Sequence, residues 1–147
     1  MSKFLGLREE HMDLYGTVSA GTSYTSGKAF TATDSYGTAI KGNIIQLMAD
    51  DVAIWRAKLL ITTTFASSGS ATMTIALKAS NALSSGDLSS PVTLYTKSGI
   101  ALSALTAGTW LLDHVIKGYK YCQVEITPGT AAFTAGTVKG WVEPEFN

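Results

Sequence analysis

The strongest alternation of apolar and polar positions runs from Val52 to Phe65, VAIWRAKLLITTTF. Ala53, Trp55, Ala57, Leu59, Ile61, Thr63 and Phe65 form one side of it, and Arg56, Lys58, Thr62 and Thr64 stand on the other. A period of two marks an antiparallel strand with one buried and one wet face. The small-residue stretch ASSGS follows as a turn. ATMTIALKA then places Ala71, Met73, Ile75 and Leu77 on one side, with Thr72, Thr74 and Lys78 on the other. The two segments predict a hairpin. Its core side, together with the later Val124 and Ile126, makes Trp55, Leu59, Ile61, Met73, Ile75 and Leu77 the expected core.

Further strand signals come in short pieces: NIIQLM, VTLYTK, TWLLDHVI, YKYCQVEIT and GTVKGWVE. SNALSSGDLSSP between them is a polar loop, and SGIALSALTAG is an extended or one-turn connector. TWLLDHVI is apolar on both faces. No long helix is expected to interrupt the series. The class is all-β, a sandwich or barrel.

The last two strands predict a register. If Cys122 faces Val142, Val124 faces Gly140 and Ile126 faces Val138, the core side of each strand meets the core side of the other. The same pairing sets Glu125 opposite Lys139, Gln123 by Trp141 and Tyr121 by Glu143, so Tyr121 and Trp141 point outward.

Residues 1–38 read as an extended N-terminal arm, and 39–147 as the sandwich domain. The arm is rich in Gly, Ser and Thr and has no sustained period, apart from one short helix expected in LREEHMDLY. Its spaced aromatics, Phe4, Tyr15, Tyr24, Phe30 and Tyr36, favour an arm that orders on a partner, because disordered tails are poor in aromatics. Phe4, Tyr15, Tyr24, Phe30, Tyr121 and Trp141 are therefore the candidate interface residues.

Composition narrows the function. The chain has 147 residues, 11 basic and 11 acidic, and only 15% of residues are charged. A nucleic-acid binder would show a basic excess or stripe. A neutral surface rich in Thr and Ser is poorly solubilising on its own, which fits a surface covered by other subunits. There is no 18-residue apolar run to span a membrane as a helix. The N-terminus lacks the pattern of a secretory signal, so assembly in the cytosol is expected. The single cysteine, Cys122, permits no internal disulfide.

Candidate chemistry is thin. GTSYTSGKA, Gly21 to Ala29, has five residues between its glycines and Ala29 after Lys28, where a phosphate loop needs four and a hydroxyl. EEHMD, Glu9 to Asp13, could hold a hard metal but has no second cluster to complete a site. Asp50 and Asp51 read as turn residues. Asp113 and His114 are neighbours on a strand, point to opposite faces and make no dyad. Cys122 reads as a small inert hydrophobe. No catalytic residue, cofactor or metal is expected.

The phrases SGIALSALTAGTWLL and YKYCQVEITPGTAAFTAGTVKGWV resemble the jelly-roll capsid cement proteins of tailed bacteriophages. The stretch TTTFASSGSATMTIALKASNALSSGDLSSPVTLYTKSG fits the same layout, so the resemblance covers roughly Asn43 to Glu143. It implies a jelly-roll sandwich on the outside of a virion. Its partners would be the major capsid protein and further copies of itself, as a dimer before a trimer. No enzyme activity, nucleic acid or membrane is implied. A carbohydrate- or receptor-binding module of a phage tail or spike is the alternative reading, with Trp141 and Tyr121 stacking on sugars.

Overall fold

The computed structural model describes residues 14–15, 27–47 and 54–145. Eleven strands are present among them: β1 Lys28–Ala29, β2 Ile40–Lys41, β3 Ile45–Gln46, β4 Ile54–Ala66, β5 Thr72–Ser80, β6 Leu83–Ser84, β7 Asp87–Leu88, β8 Val92–Ile100, β9 Trp110–Lys117, β10 Tyr121–Gly129 and β11 Ala135–Pro144. One sheet has the order β1-β11-β4-β9 and the other β2-β10-β5-β8, with β3 also on β10 and β6-β7 a separate miniature pair. All pairings are antiparallel.

Leaving out β3, β6 and β7, eight strands remain. In chain order they alternate between the sheets, except that β5 and β8 are neighbours in one sheet. This wrapped arrangement is a jelly roll, as the resemblance implies.

Two expected pairings are corrected. The β4 and β5 segments are not a hairpin, and β10 does not pair with β11; each pair lies in different sheets and meets across the core. β4 pairs with β11 and β9, while β10 pairs with β5. The inward parity is the same either way, so alternation alone does not separate a hairpin from an arch that crosses between sheets. The two arches lie side by side and lock each other. Ser67 Oγ donates to the Ala132 carbonyl at 2.9 Å and accepts from the Gly69 and Ala71 amides at 3.1 and 3.3 Å. The Thr134 amide donates to the Ala66 carbonyl at 2.8 Å. With the pairing changed, Glu125 meets Lys78 at 3.4 Å instead of Lys139. Gln123 is buried away from Trp141 and donates to the Gly42 carbonyl at 2.8 Å.

The eight expected core residues are all buried. Thr63, expected on the apolar side, is exposed where irregular register interrupts β4 against β11. A second irregularity, between Leu59 and Leu60 on β4, buries both Leu111 and Leu112 of β9. This accounts for a strand that reads as apolar on both faces. One end of the core is aromatic: Phe65 and Phe133 pack edge-on at 4.8 Å, and Phe30 joins at 5.4 and 6.1 Å. Gly136 lies over the Phe65 ring at φ 134°, so a side chain there would meet the ring from a backbone that favours glycine.

The expected arm, residues 1–38, does not stand apart from the sandwich. Phe30 and β1 belong to the sandwich, and so do Leu14 and Tyr15, which are 0% and 3% exposed. The Leu14 amide donates to the Gly140 carbonyl at 3.0 Å, and the Leu14 carbonyl accepts from the Asn43 amide at 2.6 Å. The dipeptide thus ties a strand of one sheet to the segment beside β2 of the other. Gly42 lets the Leu14 carbonyl approach where a Cβ would collide. Tyr15 reaches inward and donates to the Ile40 carbonyl at 2.6 Å. Tyr15 and Phe30 are therefore core residues and not surface anchors. The expected helix in LREEHMDLY and the polar cluster Glu9–Asp13 lie outside the described residues, except that Leu14 and Tyr15 form a bend. Phe4, Tyr24, Asp50 and Asp51 also lie outside them.

Leu14→Ala should cost about 2–5 kcal/mol, read from the urea midpoint, as for other buried leucines. An unchanged midpoint would mean that the dipeptide does not close the sandwich. Alkaline pH gives a second expectation. Burial pushes the Cys122 thiol up to about 12 from its usual 9.0. Burial, reinforced by the Glu125 carboxylate, also raises the Tyr15 phenol above its usual 10.0. Both are neutral when folded and ionise sooner when unfolded. Their contribution is complete below about pH 9 and is lost as pH rises towards the folded values. Stability should fall as pH rises from about 9 towards 12, less steeply in Cys122→Ala; a flat profile over that range would contradict this burial.

Candidate interaction surface

The outer face of the β1-β11-β4-β9 sheet carries the most distinctive group of side chains. Even positions of β4 point outward, so Arg56, Lys58 and Leu60 form its central column. Register places Glu143 and Val115 beside Arg56, Trp141 and Asp113 beside Lys58, and Lys139 and Trp110 beside Leu60. These are three rows of three across three strands.

Ion pairs frame the face. Arg56 contacts Asp113 at 2.7 Å and Glu145 at 2.7 Å, and Lys58 lies 3.4 Å from Glu143. Hydrogen bonds to Asp113, then Glu145, raise the pKa of the half-buried Arg56 guanidinium still further. Within the frame, the Trp110 and Trp141 rings meet edge-on at 5.9 Å. The Lys58 ammonium lies 5.8 Å from the Trp110 ring centre, and the Trp141 indole N–H donates to Glu143 at 3.3 Å. Trp110 is 50% exposed and Val115 37%. Exposed ion pairs each contribute only about 0–1 kcal/mol, so their main effect here is to fix side-chain positions around the two indoles.

Trp141 therefore faces outward, as the alternation requires. Tyr121 does too, but on the opposite sheet, where it pairs with Gln46 and Ser80. The two cannot form one patch. The sequence reading missed Trp110, because the irregularity at Leu111–Leu112 breaks the period of two that would have placed it outside. Asp113 and His114 diverge: Asp113 binds Arg56, while His114 turns inward and packs on Tyr95 with ring centres 5.6 Å apart. Lys28, in the glycine-rich stretch, is on β1 and pairs with Asp34 at 3.0 Å. Among the described residues no three His, Cys, Asp or Glu side chains gather to hold a metal.

A model of the family Bbp16 matches residues 24–142, most of the chain. The chain belongs to the Bbp16 family. The match begins before β1 and ends within β11, so the Bbp16 region takes in all eight strands of the jelly roll except the last two residues of β11. No curated protein matches the chain.

The framing pairs are surface interactions and should behave as such. Asp113→Asn should change unfolding stability by less than about 1 kcal/mol. A loss above about 2 kcal/mol would make the frame part of what holds the sandwich together.

Proposed function

We propose that this chain is a capsid cement protein: a non-catalytic jelly roll that binds the outside of a phage shell and stabilises contacts between capsomers of the major capsid protein. The observation that carries the reading is the eight-strand jelly-roll order, formed by the same stretch whose phrases resemble the phage cement proteins. Fold alone does not fix function, since jelly rolls also serve as lectin domains. The distribution of exposed apolar groups adds support. Trp110 and Val115 lie on one sheet face, Leu83 and Val92 by the β6-β7 hairpin, and Tyr36 on the loop before β2. A bracket that holds a shell together needs several modest contacts with different neighbours, because linked weak contacts multiply in strength. Compact contact surfaces suit this role, and the buried positions of Tyr15 and Phe30 move the emphasis from the arm to the sandwich.

The second reading is a carbohydrate-binding module, favoured by the half-exposed Trp110 beside Trp141, since indole faces stack on sugar rings. Against it, Trp110 and Trp141 stand nearly perpendicular, at 79°, and form no continuous platform.

The test is co-sedimentation of the purified chain with empty shells of the phage that encodes it. Binding that saturates at a fixed number of copies per capsomer supports the cement role. No binding to shells, together with quenching of tryptophan fluorescence by an oligosaccharide, would favour the module.

A further inference from the structure

We propose that the outer face of the β1-β11-β4-β9 sheet is a twofold contact between two copies of this chain, with Trp141 at its centre. The contact needs only the chain itself and stands or falls independently of shell binding.

Three consecutive outward residues of β11 are Lys139, Trp141 and Glu143: a cation, an indole and an anion. This order is self-complementary. A twofold axis that lies in the face and crosses the strands at Trp141 sets β11 of one copy against β11 of the other, running oppositely. Lys139 then meets Glu143 of the partner subunit, and Glu143 meets Lys139 of the partner subunit. An isologous contact requires such reciprocity.

The rest of the face obeys the same operation. The axis runs along the row Trp141–Lys58–Asp113, so the row Glu143–Arg56–Val115 falls on the row Lys139–Leu60–Trp110 of the partner subunit. Val115 and Trp110, the two large apolar residues most exposed on this sheet, therefore cover one another. Arg56 has its own carboxylates in Asp113 and Glu145 and asks nothing of the other copy. Lys58 and Asp113 both lie near the axis, where each meets its own counterpart, but Lys58 is drawn aside to Glu143 and the Trp110 ring, and Asp113 is neutralised by Arg56. Lys139, by contrast, has no ion-pair partner among the described residues. Glu143 of the partner subunit supplies one.

Size sets the strength. Three strands about 4.8 Å apart, paired over about nine residues of about 3.4 Å, offer roughly 450 Å² per copy. The total of about 900 Å² is below the roughly 1,200–2,000 Å² of stable specific interfaces and falls in the range of weak, transient contacts. The dimer should therefore be weak and populated at high concentration.

The experiment is sedimentation velocity over a concentration series, with urea midpoints confirming that each variant is folded. The wild-type chain should dimerise reversibly. Lys139→Glu and Glu143→Lys each set like charges against each other twice, and each should dimerise at least about tenfold more weakly. An equimolar mixture of these two variants should recover dimer, because in the mixed pair both contacts become opposite in charge. No intramolecular role of either residue predicts recovery on mixing. A wild-type chain that stays monomeric throughout would overturn the proposal, as would a dimer indifferent to both substitutions or a mixture no stronger than its components. Lys139→Glu that leaves a monomeric wild type unchanged in mass but abolishes shell binding would assign this face to the shell instead.

Discussion

The structure depends on one constraint: two antiparallel sheets bury their inner faces only against each other. Packed sheets stand about 10 Å apart, so each strand must deliver a row of apolar side chains to one gap and keep the opposite row wet. In β4 and β5 this is nearly unbroken, with Trp55, Leu59, Ile61, Met73, Ile75 and Leu77 all inside. The crossing arches, the aromatic end around Phe30, Phe65 and Phe133, and the Leu14–Tyr15 closure all keep the two sheets in register and their margins covered.

That constraint explains what the sequence made legible. Parity is local, so the inward residues of β4, β5, β10 and β11 could be read directly from alternation. Partnership is not local. A five-residue turn such as ASSGS suits a hairpin or an arch, and both keep Ile75 and Val124 inside. The choice is made by contacts between distant segments, such as Ser67 with Ala132. The arm failed for a related reason: Leu14 and Tyr15 sit in a stretch without period, and their burial depends on the open slot beside Gly42 and Gly140. The surface was half legible. Trp141 follows alternation, but Trp110 lies beyond an irregularity that shifts parity by one residue.

The functional account follows from surface rather than from a chemical centre. The Bbp16 match and the jelly-roll order concern the same residues, and the exposed apolar groups stand on several sides of one sandwich. A bracket needs such an arrangement: a stiff body whose shape is set by its core, with contacts spread over its surface. The ion pairs around Trp110 and Trp141 frame those indoles, an arrangement that suits the proposed contact surface.

The central claim is that this sandwich works as a bracket on the outside of a phage shell. The most direct measurement is a cryo-electron microscopy reconstruction of shells with and without the added chain. The account predicts difference density in the shape of the jelly roll on the outer surface, touching at least two capsomers. Density confined to a tail or spike, or none on the shell at saturating protein, would contradict it.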